Sequence, residues 1–444
     1  MRAGTPRLVI IGGGPIGLEA ALHAAERGYD VKVLEAGGVG ENCRRWGHLR
    51  MFSPWGMNCS PLGLRMLGRE GIRPYEEVES SPTGLEYVAH YLRPLARSPL
   101  LRGRVKEGCR VIAIGREGLT KSDRIGDPSR GTIPFHLLVE RGGRRRVVEA
   151  DLVIDGSGTY DRHRHPGDGG IPVPGEERSG GLIDHRLPDI MGRDRRCFAD
   201  RRTLLIGSGY SAATAVVSLA ALARMAPATR VLWCYRRRTD APLPRFPNDP
   251  LPARDELAAA ANRLATGAVP TIQPIPGTVL TAIAPAVSRA SGRRVSGRGA
   301  LRVTLRRGGE TGRVEVDRIL ALVGYEPDRS IYAELQVHEC WATSGPMKIA
   351  AALLGATGGG DCLAQPAPEA EVLTNPEPGF FILGSKSFGR NSAFLIRTGL
   401  AQIRALLPML DASVEGNAQR QVKRRRPRPG CSTRWHLRAG DARP

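Results

Sequence analysis

Apolar runs of four or five residues recur along the chain. Each stops abruptly on glycine or another small residue and is followed by an alanine- and leucine-rich stretch with helical spacing. Such uninterrupted runs predict strands buried on both faces, as in a parallel sheet, with helices as crossovers. The first is Leu8 to Ile11, followed by Gly12, Gly14 and Gly17 in G-x-G-x-x-G spacing. The first glycine permits a tight turn, the second lets a diphosphate approach bare backbone, and the third lets helix and strand pack closely. Pro15 suits the first helical turn and Gly28 the position just past the helix end. Val31 to Leu34 is the next strand, closed by Glu35, whose carboxylate can accept from the ribose hydroxyls of an adenosine. Strand, glycines, helix, strand and acid in this order predict a nucleotide site, and each of Gly12, Gly14, Gly17 and Glu35 has a place in it.

The pattern returns at Thr203 to Ile206, with Gly207, Gly209 and Ala212 as G-x-G-x-x-A. The helix runs through Leu222, and the next strand, Val231 to Tyr235, ends in Arg236, Arg237 and Arg238 in place of an acid. A carboxylate there would repel a ribose 2′-phosphate, whereas guanidinium groups pair with one. A charge-assisted hydrogen bond contributes about 1.5–3 kcal/mol, so NADPH is expected over NADH, with Arg236 and Arg237 as its partners. A merely basic surface is the competing explanation.

Three further apolar strands complete the pattern: Asp151 to Thr159, carrying Gly158 at a crossing point; Asp317 to Asp328; and Phe380 to Ser385, carrying Gly384 and Ser385. A helix is expected from Ser392 to Leu407. The resulting fold class is α/β, with two Rossmann-like dinucleotide-binding domains, the second inserted in the first. The expected boundaries are 1–178 and 317–410 for the discontinuous first domain, 179–316 for the second, and 411–444 for a basic, disordered tail.

The two fingerprints together with Val323 to Pro327 (VGYEP) make residues 7–410 similar to the FAD- and NAD(P)H-dependent oxidoreductases with paired dinucleotide-binding domains, especially flavin-containing monooxygenase-like proteins. The resemblance implies FAD at the first site and NADPH at the second. Three departures stand out. The family's F-x-G-x-x-x-H-x-x-x-[FY] stretch is represented by Ser179, Gly181, His185 and Asp189, with both aromatic positions lost. Ser385 stands where the disulfide-reductase branch has an aspartate holding the ribityl chain. The catalytic cysteine pair of that branch is absent.

Residues 41–60 are rich in Trp, His, Arg and Asn. Arg44 or Arg45 can neutralise a pyrophosphate, Trp46 can stack near a ring system, and His48 suits proton transfer near neutrality. Packing by the tryptophans and a structural histidine is the alternative. Between Gly384 and Arg397, backbone amides with Lys386 or Asn391 can stabilise a reduced flavin, or Asn391 can cap a helix. His48 and Asn391 are thus the candidate catalytic residues. Closely spaced prolines from Pro242 to Pro252 predict a semi-rigid excursion, lining a substrate entrance or decorating the surface.

The chain of 444 residues, with 41% hydrophobic and 25% charged residues, has the composition of a globular multidomain protein. Part of its net charge of +21 lies in the arginine-rich end, so no nucleic-acid partner is expected. No run is long enough to span a membrane. The eight cysteines lack zinc-ligand or redox-pair spacing, so no metal is expected, and scattered thiols suit the cytoplasm. The expected function is an NADPH-reduced, FAD-dependent oxidoreductase, monooxygenase-like, acting on a small molecule, with a homodimer as one candidate assembly and the oligomeric state left open. Alternatives are a flavin reductase of a small disulfide, quinone or protein acceptor, and a non-catalytic nucleotide-sensing flavoprotein.

Overall fold

A computed structural model describes residues 5–179, 181–246, 248–286, 301–355, 363 and 369–424, with backbone alone for 413–424. The arginine-rich end beyond Arg424, with Cys362 and Cys431, lies outside the described residues.

Two parallel sheets organise the chain. In the first, β1 (Arg7–Ile11) pairs with β2 (Asp30–Leu34) across helix α1 (Pro15–Glu26), and β2 pairs with β3 (Val105–Lys106). An antiparallel sheet follows, made of β4 (Arg110–Arg116), β5 (Phe135–Arg141) and β6 (Arg144–Ala150). The chain then returns to the parallel sheet as β7 (Leu152–Asp155), beside β1. The second sheet contains β8 (Ile183–Asp184), β9 (Arg202–Ile206), β10 (Arg230–Tyr235) and β11 (Ile272–Pro276), with helices α2 (Tyr210–Met225) and α3 (Pro252–Ala265) on one face. Its antiparallel layer is β12 (Thr278–Pro285), β13 (Leu301–Arg307) and β14 (Glu310–Val316), and β15 (Arg318–Ala321) returns beside β9. The chain ends with β16 (Phe380–Ile382), parallel to β7, and the long helix α4 (Ile396–Arg424). The spatial orders are β16-β7-β1-β2-β3 and β11-β10-β9-β15-β8.

The uninterrupted apolar runs have a direct cause in this layering. Leu8 and Ile10 pack against the helices, while Val9 and Ile11 pack against β4–β6 with Phe135, Leu137 and Val139. In the second domain Leu205 faces the helices, and Leu204 and Ile206 face β12–β14. Both faces of each strand are covered, so no polar alternation survives. Each fully buried aliphatic side chain contributes about 1.5–3 kcal/mol.

The structure corrects three expectations. The strand Arg318–Ala321, assigned from sequence to the resumed first domain, pairs with β9, so the second domain extends through Ala321. The final helix starts at Ile396, not Ser392, because Asn391 Oδ1 accepts from Ala393 N at 2.9 Å and holds a local turn in place of a helical one. That helix also continues past Leu407 and the expected 411 boundary to Arg424. Its buried stripe of Leu400, Ile403, Leu406, Leu407 and Leu410 packs on α1. Asp411 then accepts from Arg27 Nη1 at 3.0 Å and Tyr29 Oη at 2.8 Å, tying the helix to the end of α1.

Two connectors join the domains and pair with each other. Arg164 N donates to Gly324 O at 3.0 Å and Glu326 N to Arg162 O at 2.9 Å. The rings of Tyr160 and Tyr325 stack at 4.5 Å across this ribbon.

Candidate active site

The first turn has the geometry its glycines predict. Gly12 adopts φ +100°, and a Cβ on Gly17 would stand 1.9 Å from Gly12 O, so helix and strand touch backbone to backbone. A Cβ on Gly14 would meet nothing within 4 Å. No side chain caps the amides at the start of α1. Open space in front of free amides at a helix N-terminus is the cradle a diphosphate requires. Glu35 closes β2 as expected and accepts from Gly13 N at 2.6 Å and Gly37 N at 2.7 Å. Burial raises its pKa despite these two bonds. A carboxylate has about four lone-pair sites, so capacity for ribose hydroxyls remains.

The second turn repeats the first. Gly207 has φ +133°, and a Cβ there would fall 2.3 Å from Leu322 O, while one on Gly209 would meet open space. Ala212 is buried against this turn, and Trp233 Nε1 donates to Gly207 O at 2.8 Å. Of the three arginines after β10, Arg237 donates to Pro242 O at 3.0 Å. Arg236 is exposed and, with Arg390, contributes to lowering the pKa of the half-buried Arg164 guanidinium, although burial is the larger cause. Arg238 lines an open cavity of ≈ 560 Å³ together with Thr239, Asp240, Gly277, Arg307 and Glu310. That cavity lies at the carboxyl ends of β10 and β11, the edge of the sheet at which α/β folds bind ligands. Arg307 also lines this cavity, and its one signal in the sequence is an arginine preceding the Gly308-Gly309 hairpin turn.

The crossing point also forms. Gly158 and Ser385 meet, a Cβ on Gly158 standing 3.5 Å from Ser385 Oγ, and Gly384 N donates to Gln402 Oε1 at 2.8 Å. Beneath them lies a buried ion pair that no sequence motif announces: Lys386 Nζ donates to Asp155 Oδ2 at 2.6 Å and to Ser157 Oγ at 3.1 Å. Lys386 is therefore not available as a free surface cation.

The segment 41–60 is less concentrated than expected. Arg45 Nη1 bonds Asp161 at 2.6 Å and Asn42 at 3.0 Å, and its Nε lies 3.3 Å from Glu41, so acids of the chain already occupy the guanidinium. Trp46 packs on Gly84, where a Cβ would come within 2.6 Å of the indole. His48 has a buried Nε2 with no partner among the described residues. Phe52 meets Tyr210, the first residue of α2, edge-on at 5.4 Å. The segment thus docks the two domains near the second turn. Asn391 is exposed and engaged in its local turn.

His185 stacks on His163 at 3.5 Å with rings 10° apart, and burial pushes it down to about 4. The excursion Pro242 to Pro252 is fastened to α3 through Asn262, which bonds Leu243 N at 3.0 Å and Leu243 O at 2.9 Å. Cys43, Cys59, Cys109, Cys197, Cys234 and Cys340 are free thiols. Burial pushes Cys43 up to about 12 and raises Cys59 as well. No helix among the described residues is long and apolar enough to cross a membrane.

Residues 9–120 match the family described as pyridine nucleotide-disulphide oxidoreductase. Among solved structures, bacillithiol disulfide reductase from Bacillus cereus is similar at 20% identity, with 92% of this chain and 99% of that chain covered and a TM-score of 0.65. The ornithine N-hydroxylase of Kutzneria sp. 744 is similar at 15% identity, covering 94% and 100%, with a TM-score of 0.58. Thioredoxin reductase from Lactococcus lactis is similar at 17% identity, covering 93% and 100%, with a TM-score of 0.56. The two-domain architecture is common to all three.

Proposed function

We propose that this chain, which shares the fold of these two-domain oxidoreductases, binds FAD at the Gly12–Gly17 turn and NADPH at the Gly207–Ala212 turn and transfers hydride between them. One observation carries this: both turns hold open space before uncapped helix amides at Gly14 and Gly209, while the strands that follow end in opposite charges, Glu35 and Arg236–Arg238. The carboxylate suits an unphosphorylated ribose and the arginines a 2′-phosphate.

FAD, when bound, supplies two-electron redox chemistry; the chain's residues hold and orient. The α1 amides bind the first diphosphate and Glu35 the ribose. Gly158 and Ser385 border the space beyond the carboxyl ends of β1, β7 and β16. Arg238 and Arg307 both line the cavity beside β10 and β11. Phe52 packs edge-on against Tyr210 at the domain junction.

The acceptor is oxygen, with a small molecule as the oxygenated substrate. Supporting this, burial raises the thiol pKa of Cys43 and Cys59 in the first domain's core, so neither is a ready thiolate for a dithiol relay. A second reading, reduction of a quinone or low-molecular-weight disulfide, is favoured by Ser179 and Asp189 standing where the monooxygenase-like pattern has aromatics. Product analysis under ¹⁸O₂ separates them. Label in the product, with oxygen uptake matching NADPH consumed, supports oxygenation. Unlabelled product, with turnover sustained under nitrogen by an added quinone or disulfide, overturns it.

A further inference from the structure

We infer that the buried Lys386–Asp155 ion pair is a positioning element of the flavin site, fixing the two loops that border the cofactor. This rests on the FAD reading of the first domain.

Asp155 is the last residue of β7, in register with Ile11 of β1 and Ile382 of β16. It therefore sits at the carboxyl edge of the sheet, where α/β folds bind their ligands. Its side chain and that of Lys386 are 0% and 1% exposed. Both side chains are hydrogen-bonded within the pair and to Ser157. Asp155 Oδ2 takes Lys386 Nζ at 2.6 Å. Oδ1 takes Ser157 N at 3.0 Å and Ser157 Oγ at 2.7 Å. Lys386 Nζ also reaches Ser157 Oγ at 3.1 Å and lies 5.1 Å from the centre of the Tyr332 ring. The Asp155 backbone carbonyl accepts from Leu383 N at 3.0 Å.

These bonds join residues 155–157 to 383–386, so the adjoining Gly158 and Ser385 are held in contact. An apolar pair of equal volume would fill the same space without the cost of desolvating two charges. What the ion pair adds is direction: each bond fixes one loop relative to the other.

Full-length wild type, Lys386→Met, the double variant Lys386→Met/Asp155→Asn, and Ser157→Ala are compared for thermal melting, FAD dissociation constant and flavin midpoint potential. Lys386→Met should bind FAD at least tenfold more weakly and shift the potential to lower values, because an unneutralised carboxylate remains. The double variant should regain thermal stability without regaining FAD affinity. That separates positioning from folding. Ser157→Ala, which leaves both charges paired, should fold normally and weaken FAD severalfold. If wild type binds FAD and the double variant and Ser157→Ala match it in affinity and potential, the pair is structural and the inference is overturned. If wild type itself binds no FAD, the cofactor reading falls, and this inference with it.

Discussion

Glu19 lies in the interior of α1 with its side chain 0% exposed. One oxygen accepts from Tyr91 Oη and from Ser60 N at 3.2 Å, while Oε2 has no hydrogen-bond partner among the described residues. Burial raises its pKa above the usual carboxylate range. The folded state therefore holds this proton more tightly than the unfolded chain. Stability from the protonated form is complete below the ordinary carboxylate range and is lost as pH rises through the raised value. Glu19→Gln should abolish that loss and stabilise by about 1 kcal/mol above it. Melting temperatures of both proteins between pH 4.5 and 8 check this; a parallel pair of curves would contradict it. A second expectation concerns Arg307. Replacing it with Gln should raise the KM for NADPH about tenfold, one charge-assisted bond, and leave that for NADH unchanged. Steady-state kinetics with both coenzymes would show it. Individual residues were unevenly legible. Gly12, Gly14, Gly17 and Glu35 were fixed by spacing along one βαβ unit. Asp155 and Lys386 lie far apart in sequence, and the only hint was an acid closing an otherwise buried strand. Arg45 and Trp46 read as ligand contacts by type, yet local acids and Gly84 claim them.

At the level of elements, the two turns make a test that distinguishes fold from function. A side chain at Gly14 enters empty space, whereas one at Gly17 collides with Gly12 O. Gly14→Val should thus keep the melting temperature within a few degrees and lose FAD. Gly17→Ala should cost several degrees or fail to fold. Absorbance at the flavin band and a thermal melt on the same samples decide it, and equal melting for both would count against the close helix–strand approach. The strands and first helices of both units were readable because their apolar runs and glycine turns are local signals. The hairpins Arg141-Gly142-Gly143-Arg144 and Arg307-Gly308-Gly309-Glu310 are equally local signals. Each precedes a returning strand, β7 and β15. This repeat places Arg318–Ala321 in the second domain, since the two returning strands occupy matching positions beside β1 and β9. The late start of α4 was hidden by Asn391, whose side chain serves a cap or a turn with equal ease.

Across the whole molecule, one nucleotide unit is threaded into another, and the two connectors pair as a ribbon with stacked Tyr160 and Tyr325. Docking of Phe52 on Tyr210 shows the first domain reaching the second turn. No sequence spacing encodes such a contact, because it depends on how two finished domains meet. The functional proposal stands or falls on both turns accepting dinucleotides that exchange hydride. An anaerobic titration of the FAD-loaded protein is its sharpest check. NADPH should bleach the flavin absorbance at about one equivalent, and NADH should do so at least tenfold more slowly, as expected from one charge-assisted bond. Folded protein that stays colourless with added FAD, or a bound flavin that NADPH leaves oxidised, would contradict it.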